Sequence, residues 1–113
     1  MTRVPVDTID GLEDIERRGG ARGPVSDMMA VVGTLPAAPV LEAGTKALFV
    51  ELPDPDILPL GVPTECVIIS PTRRAHARVD VIRKEIAPRR GVALLIVSMS
   101  PADEEAWQAM LHP

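Results

Sequence analysis

The stretch that decides the predicted fold is residues 66–101, CVIISPTRRAHARVDVIRKEIAPRRGVALLIVSMSP. The same pattern occurs twice in this stretch: a short apolar run, which is typical of a buried strand, is followed by a Ser-Pro pair. In the first copy the apolar run Cys66–Ile69 precedes Ser70–Pro71, and in the second copy Val92–Val97 precedes Ser100–Pro101. Serine is favoured as a helix N-cap and proline as the first helical residue, so each pair predicts the start of a helix.

The first predicted helix continues to about Ile86 and is ended by Pro88, and the second covers Ala102–Leu111. The first of these segments also has an alternating pattern, which would suit a strand. The spacing of four apolar residues along one helix face, together with the length of the run, favours helix over strand. These residues are Ala75, Val79, Ile82 and Ile86.

A further apolar run, Lys46–Leu52, predicts a strand that precedes the two described above. Strands that are apolar on both faces are typical of parallel sheets covered on both sides by helices. The sequence therefore predicts an α/β fold. This would be a small three- or four-stranded, mostly parallel sheet with helices on its faces, preceded by an extended, proline-rich N-terminal half.

The length of 113 residues predicts a single domain. Within it, residues 1–33 are predicted to form an N-terminal helical arm with a basic, glycine-rich linker, and residues 34–113 the α/β core. The arm would contain a helix over residues 8–18 and a second helix of at most two turns, Asp27–Val32. Residues 34–45 are predicted to be extended coil.

The composition excludes several classes of protein. No apolar run approaches the roughly 18 residues of a membrane span, and the acidic, proline-containing start does not resemble a secretion signal. The single cysteine, Cys66, excludes an internal disulfide framework and is predicted to be a buried, inert thiol. We therefore expect a soluble, cytoplasmic protein without a membrane partner and without a cofactor. The carboxylates Glu51, Asp54 and Asp56 predict a solvated loop rather than a metal site.

The basic side chains are concentrated in one block. Seven of them lie between Arg73 and Arg90, although the whole chain has a formal net charge of −4. Such a block can bind a polyanion, but the overall negative charge argues against a nucleic-acid partner. The favoured interpretation is one solvated helix face that pairs with the acidic half of the same chain, residues 1–60.

The first Ser-Pro turn is a candidate anion site, formed by Ser70, Thr72, Arg73 and Arg74. The predicted fold places it at a helix N-terminus and at the carboxyl end of a strand. Free backbone N–H groups at such a position favour a phosphate or carboxylate ligand. The alternative is that the two arginines point outward and pair with nearby acidic residues, such as Asp54 or Asp56.

The loop at residues 53–64 contains four prolines and so cannot form a helix or a regular strand. Its apolar side chains would be costly to leave in water, so the loop is predicted to dock on something. The candidate contact residues are Ile57, Leu58, Leu60 and Val62.

Catalysis has little support in the sequence, which favours a non-enzymatic protein over an enzyme. His76 and His112 have no serine or cysteine nucleophile at a recognisable motif spacing. The first hypothesis is a non-enzymatic subunit of a homo- or hetero-assembly that works through protein–protein contact. The alternative is a small α/β binding module or enzyme that holds an anionic ligand at Ser70–Arg74.

Overall fold

The computed structural model describes residues 27–112, which form a closed barrel of six antiparallel strands followed by one α-helix. The strands run in the order β1-β2-β3-β6-β5-β4, and β4 closes the barrel on β1. The strands are β1 Met29–Val32, β2 Ala38–Ala43, β3 Ala47–Glu51, β4 Thr64–Ile69, β5 Arg74–Glu85 and β6 Gly91–Ser98. A 3-10 helix, Pro55–Ile57, lies between β3 and β4, and the α-helix α1 spans Pro101–Leu111. The predicted helix at residues 8–18 and the basic linker fall outside the described residues.

The predicted α/β fold with a mostly parallel sheet is wrong, because all six strand pairs are antiparallel. The error lies chiefly in the predicted helix after Ser70–Pro71, where the structure has β5. Its side chains alternate between the barrel interior and the outside, so that four small or medium apolar residues are buried. These are Ala75, Ala77, Val79 and Val81. A strand of a closed barrel requires this period of two.

The helical spacing that favoured the wrong prediction does not correspond to a buried face. Ile86, the last member of the apolar stripe, is 54% exposed. Ile82 lies at an irregularity in the β5–β6 register, between Val81 and Arg83, and packs on the outside of the barrel. Ser70 and Arg73 instead close the β4–β5 hairpin, where the Ser70 N–H donates to the Arg73 carbonyl oxygen at 2.9 Å.

Two further predictions are also wrong, because the structure has strands where a helix and a coil were predicted. The predicted helix Asp27–Val32 contains β1, which pairs with β4 along all four of its residues. The predicted coil at 34–45 contains β2. Ala30 and Val32 are buried in the barrel core, so the short apolar segment is covered by the closed sheet and does not need a helical environment.

The strands predicted around Lys46–Leu52, Cys66–Ile69 and Val92–Val97 are confirmed as β3, β4 and β6, and the C-terminal helix is confirmed as α1. The predicted N-cap is also confirmed, because the Ser100 hydroxyl accepts a hydrogen bond from the Asp103 N–H at 3.1 Å. These elements were predictable because their apolar runs or capping residues are local signals.

Some strands are apolar on both faces because the barrel has a second, outer cluster. Phe49 of β3 is fully buried on the outside of the barrel, between Ala47 and Ala93. The Arg89 guanidinium covers it at 3.9 Å from the ring centre and also bonds Glu42 at 2.9 Å. The two-faced burial of β3 therefore comes from this outer cluster and not from helices on a parallel sheet.

The two ends of the barrel differ. The loop end is formed by the loops at residues 33–37, 52–63 and 86–90, and the helix end by the turns at residues 44–46 and 70–73 together with α1. At the helix end the side chain of Trp107 is only 1% exposed and packs in the barrel core. Its indole N–H donates to the Thr45 carbonyl oxygen at 3.2 Å, which ties α1 to the β2–β3 turn. The helix α1 thus packs on this end, beside a second, more open cavity of about 500 Å³ that is lined by Lys46, Leu95 and Trp107 among others.

Candidate interaction surface at the loop end

An apolar cavity of about 530 Å³ opens at the loop end of the barrel. It lies between the β1–β2 loop and the segment that follows β3. Its volume falls within the roughly 300–1,000 Å³ range of pockets that accept a small-molecule ligand. The lining residues are Leu35, Pro36, Ala37, Ala38, Pro39, Glu51, Leu52, Pro53, Asp54, Ile57 and Arg90.

The chain builds one wall of this cavity with a short, capped turn. The Asp54 carboxylate accepts a hydrogen bond from the Asp56 N–H at 3.2 Å and so caps the 3-10 helix, in which Pro55 is the first residue. Leu52 anchors the start of the loop, since it is buried and its N–H donates to the Arg90 carbonyl oxygen at 3.1 Å. This arrangement leaves Ile57 projecting beside the cavity.

The four apolar residues that were predicted to contact a partner differ in solvent exposure. Leu58 is only 7% exposed and belongs to the barrel core, where it fixes the loop. Ile57, Leu60 and Val62 are 54%, 57% and 47% exposed, so their side chains face outward. Between the last two, Gly61 has a positive φ of 75° and donates its N–H to the Val81 carbonyl oxygen, which holds the loop against β5.

A fourth exposed apolar residue, Ile86, lies at the same end, directly after β5. Only one other large apolar residue of the described chain is similarly exposed, and this is Val97 of β6. The running direction of β6 places Val97 toward the helix end. Exposed apolar side chains are therefore concentrated at the loop end.

Charged groups surround the cavity as well. Glu51, Asp54 and Arg90 all line it and are all exposed. Within residues 27–112, neither Glu51 nor Arg90 forms an ion pair with another residue. By contrast Lys84, on β5, forms an ion pair with Asp56 at 3.4 Å. The surface thus combines an apolar cavity and apolar projections with charges of both signs.

Comparisons of the chain with protein-family models, with curated proteins and with solved structures found no match. Over residues 27–112, no helix is long and apolar enough to cross a membrane. In the same range, no group of three or more His, Cys, Asp or Glu side chains is placed to hold a metal ion. The functional argument therefore depends on the geometry of this chain alone.

The predicted anion site lies at the opposite end of the barrel. Ser70, Thr72 and Arg73 form the β4–β5 hairpin turn and Arg74 begins β5, so the turn is not a helix N-terminus. The Ser70 hydroxyl accepts from the Arg73 N–H at 3.0 Å and is thereby used within the turn. Anion binding by these residues stays a prediction, now without the helix that motivated it.

The basic block was predicted to be one helix face that pairs with the acidic half of the chain, residues 1–60. Within the described residues, Lys84 pairs with Asp56 and Arg89 with Glu42 of that half. Arg78 pairs instead with Glu65, and Arg83 and Arg89 both pair with Glu85, and these two acidic residues lie outside that half. The alternative pairing of Arg73 and Arg74 with Asp54 or Asp56 is not found, since the two sets lie at opposite ends of the barrel. The residues involved are distributed over several strands and do not form one helix face.

Two further candidate residues are Cys66, which is buried, and His76, whose backbone is bonded to α1. Cys66 points into the barrel, where burial raises the pKa of its thiol to about 12, so the predicted buried thiol is confirmed. The His76 backbone N–H donates to the Asp103 carboxylate at 3.0 Å, which joins β5 to α1. This hydrogen bond, together with one from Ser100, lowers the pKa of Asp103.

Sequence reasoning found the apolar loop but missed most of the cavity. The β1–β2 loop, the wall opposite Ile57, was predicted as part of an extended coil with no assigned role. Its apolar and proline-containing composition, LPAAP at residues 35–39, was the available signal. That signal became meaningful only with the strand order, because the closed barrel brings residues 35–39 beside residues 51–57.

Proposed function

We propose that this protein is a non-enzymatic protein–protein interaction subunit that associates with a second copy of itself through the loop end. The observation that carries the proposal is the distribution of exposed apolar groups. Four of the five large apolar side chains that are exposed in the described chain lie on loops at this end, which also holds the apolar cavity. Exposed apolar side chains that are concentrated in one region of a protein surface support an interaction site there.

A binding role is favoured over catalysis by the chemistry of the cavity. Its lining is largely aliphatic and proline side chains, and it includes no serine, cysteine or histidine among the described residues. Such a surface gains free energy by excluding water, at roughly 25 cal/mol for each Å² of apolar area removed. The gain requires an apolar occupant, which a partner protein supplies.

A second copy is favoured as the occupant because the surface carries complementary features. A two-fold interface is self-complementary, so any projection on one copy must meet a recess on the other. The loop end provides both, since Leu60, Val62 and Ile86 project from it and the cavity lies at the same end. Its charges also have both signs, which allows attraction between identical surfaces.

The test is a pair of variants of the full chain, analysed by light scattering during size-exclusion chromatography. Ile57→Ser with Leu60→Ser should convert the wild-type dimer to a monomer, because it removes two exposed apolar contacts. The thermal midpoint of the variant monomer should show that the barrel remains folded, as neither side chain is in the core. A dimer that survives this double substitution contradicts the proposal.

Val97→Ser is the matched control. Val97 is 44% exposed and apolar, but it lies toward the helix end. The control should therefore leave the dimer intact. Dissociation by Val97→Ser and not by the loop-end variant would place the interface at the other end and reject the assignment.

A further inference from the structure

Two side chains of opposite charge lie at the rim of the cavity. Glu51, at the end of β3, and Arg90, just before β6, both line the cavity and are exposed. Neither forms an ion pair with any residue between 27 and 112. Arg89 differs sharply, since it bonds both Glu42 and Glu85. Of these two adjacent arginines, Arg90 is thus the one whose guanidinium has no ion-pair partner between residues 27 and 112.

Glu51 is the better acidic partner on this surface. The carboxylates of Asp54 and Asp56 already have partners, because Asp54 caps the 3-10 helix and Asp56 pairs with Lys84. Glu51 has no hydrogen bond or ion pair within the described chain that uses its carboxylate. It can therefore turn toward a partner without disrupting the loop.

We infer that Glu51 of one copy pairs with Arg90 of the second copy, and reciprocally, and that these two pairs set the register of the dimer. The inference rests on the proposed function. In a two-fold interface, a contact between two different residues occurs twice, so one acid and one base near the axis generate two ion pairs. Charge pairs of this kind determine partner choice and orientation more than they determine total affinity.

The test uses charge reversals in the full chain. Glu51→Lys places like charges opposite each other at both contacts of the homodimer, and Arg90→Glu does the same. Each single variant should raise the dimer dissociation constant at least about tenfold, measured by sedimentation equilibrium. Lys46→Glu, which reverses an exposed charge at the helix end, should leave the dissociation constant near that of the wild type.

The decisive measurement is the mixture of the two variants. When Glu51→Lys meets Arg90→Glu, the new lysine faces the new glutamate, and the native Arg90 faces the native Glu51. The mixture should therefore form a heterodimer with restored affinity, although each variant alone is mostly monomeric. Native mass spectrometry distinguishes the heterodimer from either homodimer when one variant carries a uniform ¹⁵N label.

The outcomes separate the register from the proposed function. A wild-type dimer that is unaffected by either reversal overturns the Glu51–Arg90 pairing and leaves the dimer proposal standing. Two monomeric variants that fail to combine also overturn it. A wild-type chain that is monomeric throughout rejects the proposed function, and the pairing with it.

Discussion

The guanidinium of Arg89 lies 3.9 Å from the centre of the Phe49 ring on the outside of the barrel. Through hydrogen bonds to Glu42 on β2 and Glu85 on β5, the same side chain joins two strands across β3 and β6. Burial would lower the pKa of Arg89, but the hydrogen bonds to Glu85 and Glu42 outweigh this effect and raise it. Arg89 therefore stays charged and holds the outer cluster closed.

Arg89→Ala should lower the free energy of unfolding by about 2–4 kcal/mol, because it uncovers Phe49 and leaves the buried Glu42 carboxylate without its cation. Urea denaturation monitored by circular dichroism measures the loss. Arg78→Ala is the control, since its ion pair with Glu65 is exposed and should be worth less than about 1 kcal/mol. Equal effects of the two substitutions would show that Arg89 has no special role.

The buried thiol of Cys66 should be unreactive in the folded protein. It lies in the barrel interior, where burial raises its pKa to about 12, so the thiolate that attacks disulfide reagents is scarce. Labelling with a chromogenic disulfide reagent should be complete in urea and slow in native buffer. Rapid native labelling would mean that the β4 segment opens far more readily than the rest of the barrel.

The Asp103 carboxylate should make stability depend on acid. Its pKa is lowered in the folded state, first by the hydrogen bond from the His76 N–H and then by that from Ser100. A depressed carboxylate pKa stabilises the fold above the unfolded-state value and loses that contribution as the pH falls through the folded-state value. Asp103→Asn should therefore be less stable than the wild type at neutral pH.

The difference between Asp103→Asn and the wild type should shrink as the pH falls through the lowered pKa of Asp103, because the carboxylate then becomes neutral like the amide. Urea midpoints at several pH values measure it. Glu105→Gln on the same helix provides the control, because it removes an exposed carboxylate that makes no hydrogen bond within the described chain. A difference that is independent of pH would indicate that the charge on Asp103 does not contribute.

The sequence correctly predicts the strands that have continuous apolar runs. It predicts the wrong element where the same residues fit both a helical and a strand period. Between residues 74 and 86, apolar residues satisfy both a helix face and a strand alternation, and only the register of β5 against β4 and β6 decides between them. Cys66 pairing with Ala77, and Val79 with Ile96, are contacts across the sheet that no local pattern contains. Because a helix was favoured for these residues, Ser70–Pro71 was interpreted as a helix start, although it belongs to the β4–β5 hairpin turn.

The candidate surface was half predictable for the same reason. A proline-rich loop with apolar side chains is a local signal, and it drew attention to the segment around Ile57 and Leu60, whose side chains are exposed. Which side chains of that loop face inward depends on the barrel, and Leu58 proves to be core. The pairing of Glu51 with Gly91 across β3 and β6 brings Arg90 next to the cavity, and this register was not visible in the sequence.

The most direct test of the central claim is the mass of the wild-type full chain by sedimentation equilibrium over a wide range of concentrations. Association through the loop end predicts a reversible particle of twice 12.1 kDa. This mass should fall to that of one chain on dilution. A mass of 12.1 kDa at every concentration would contradict the account, and the exposed side chains of Ile57, Leu60, Val62 and Ile86 would then have no second copy to cover them.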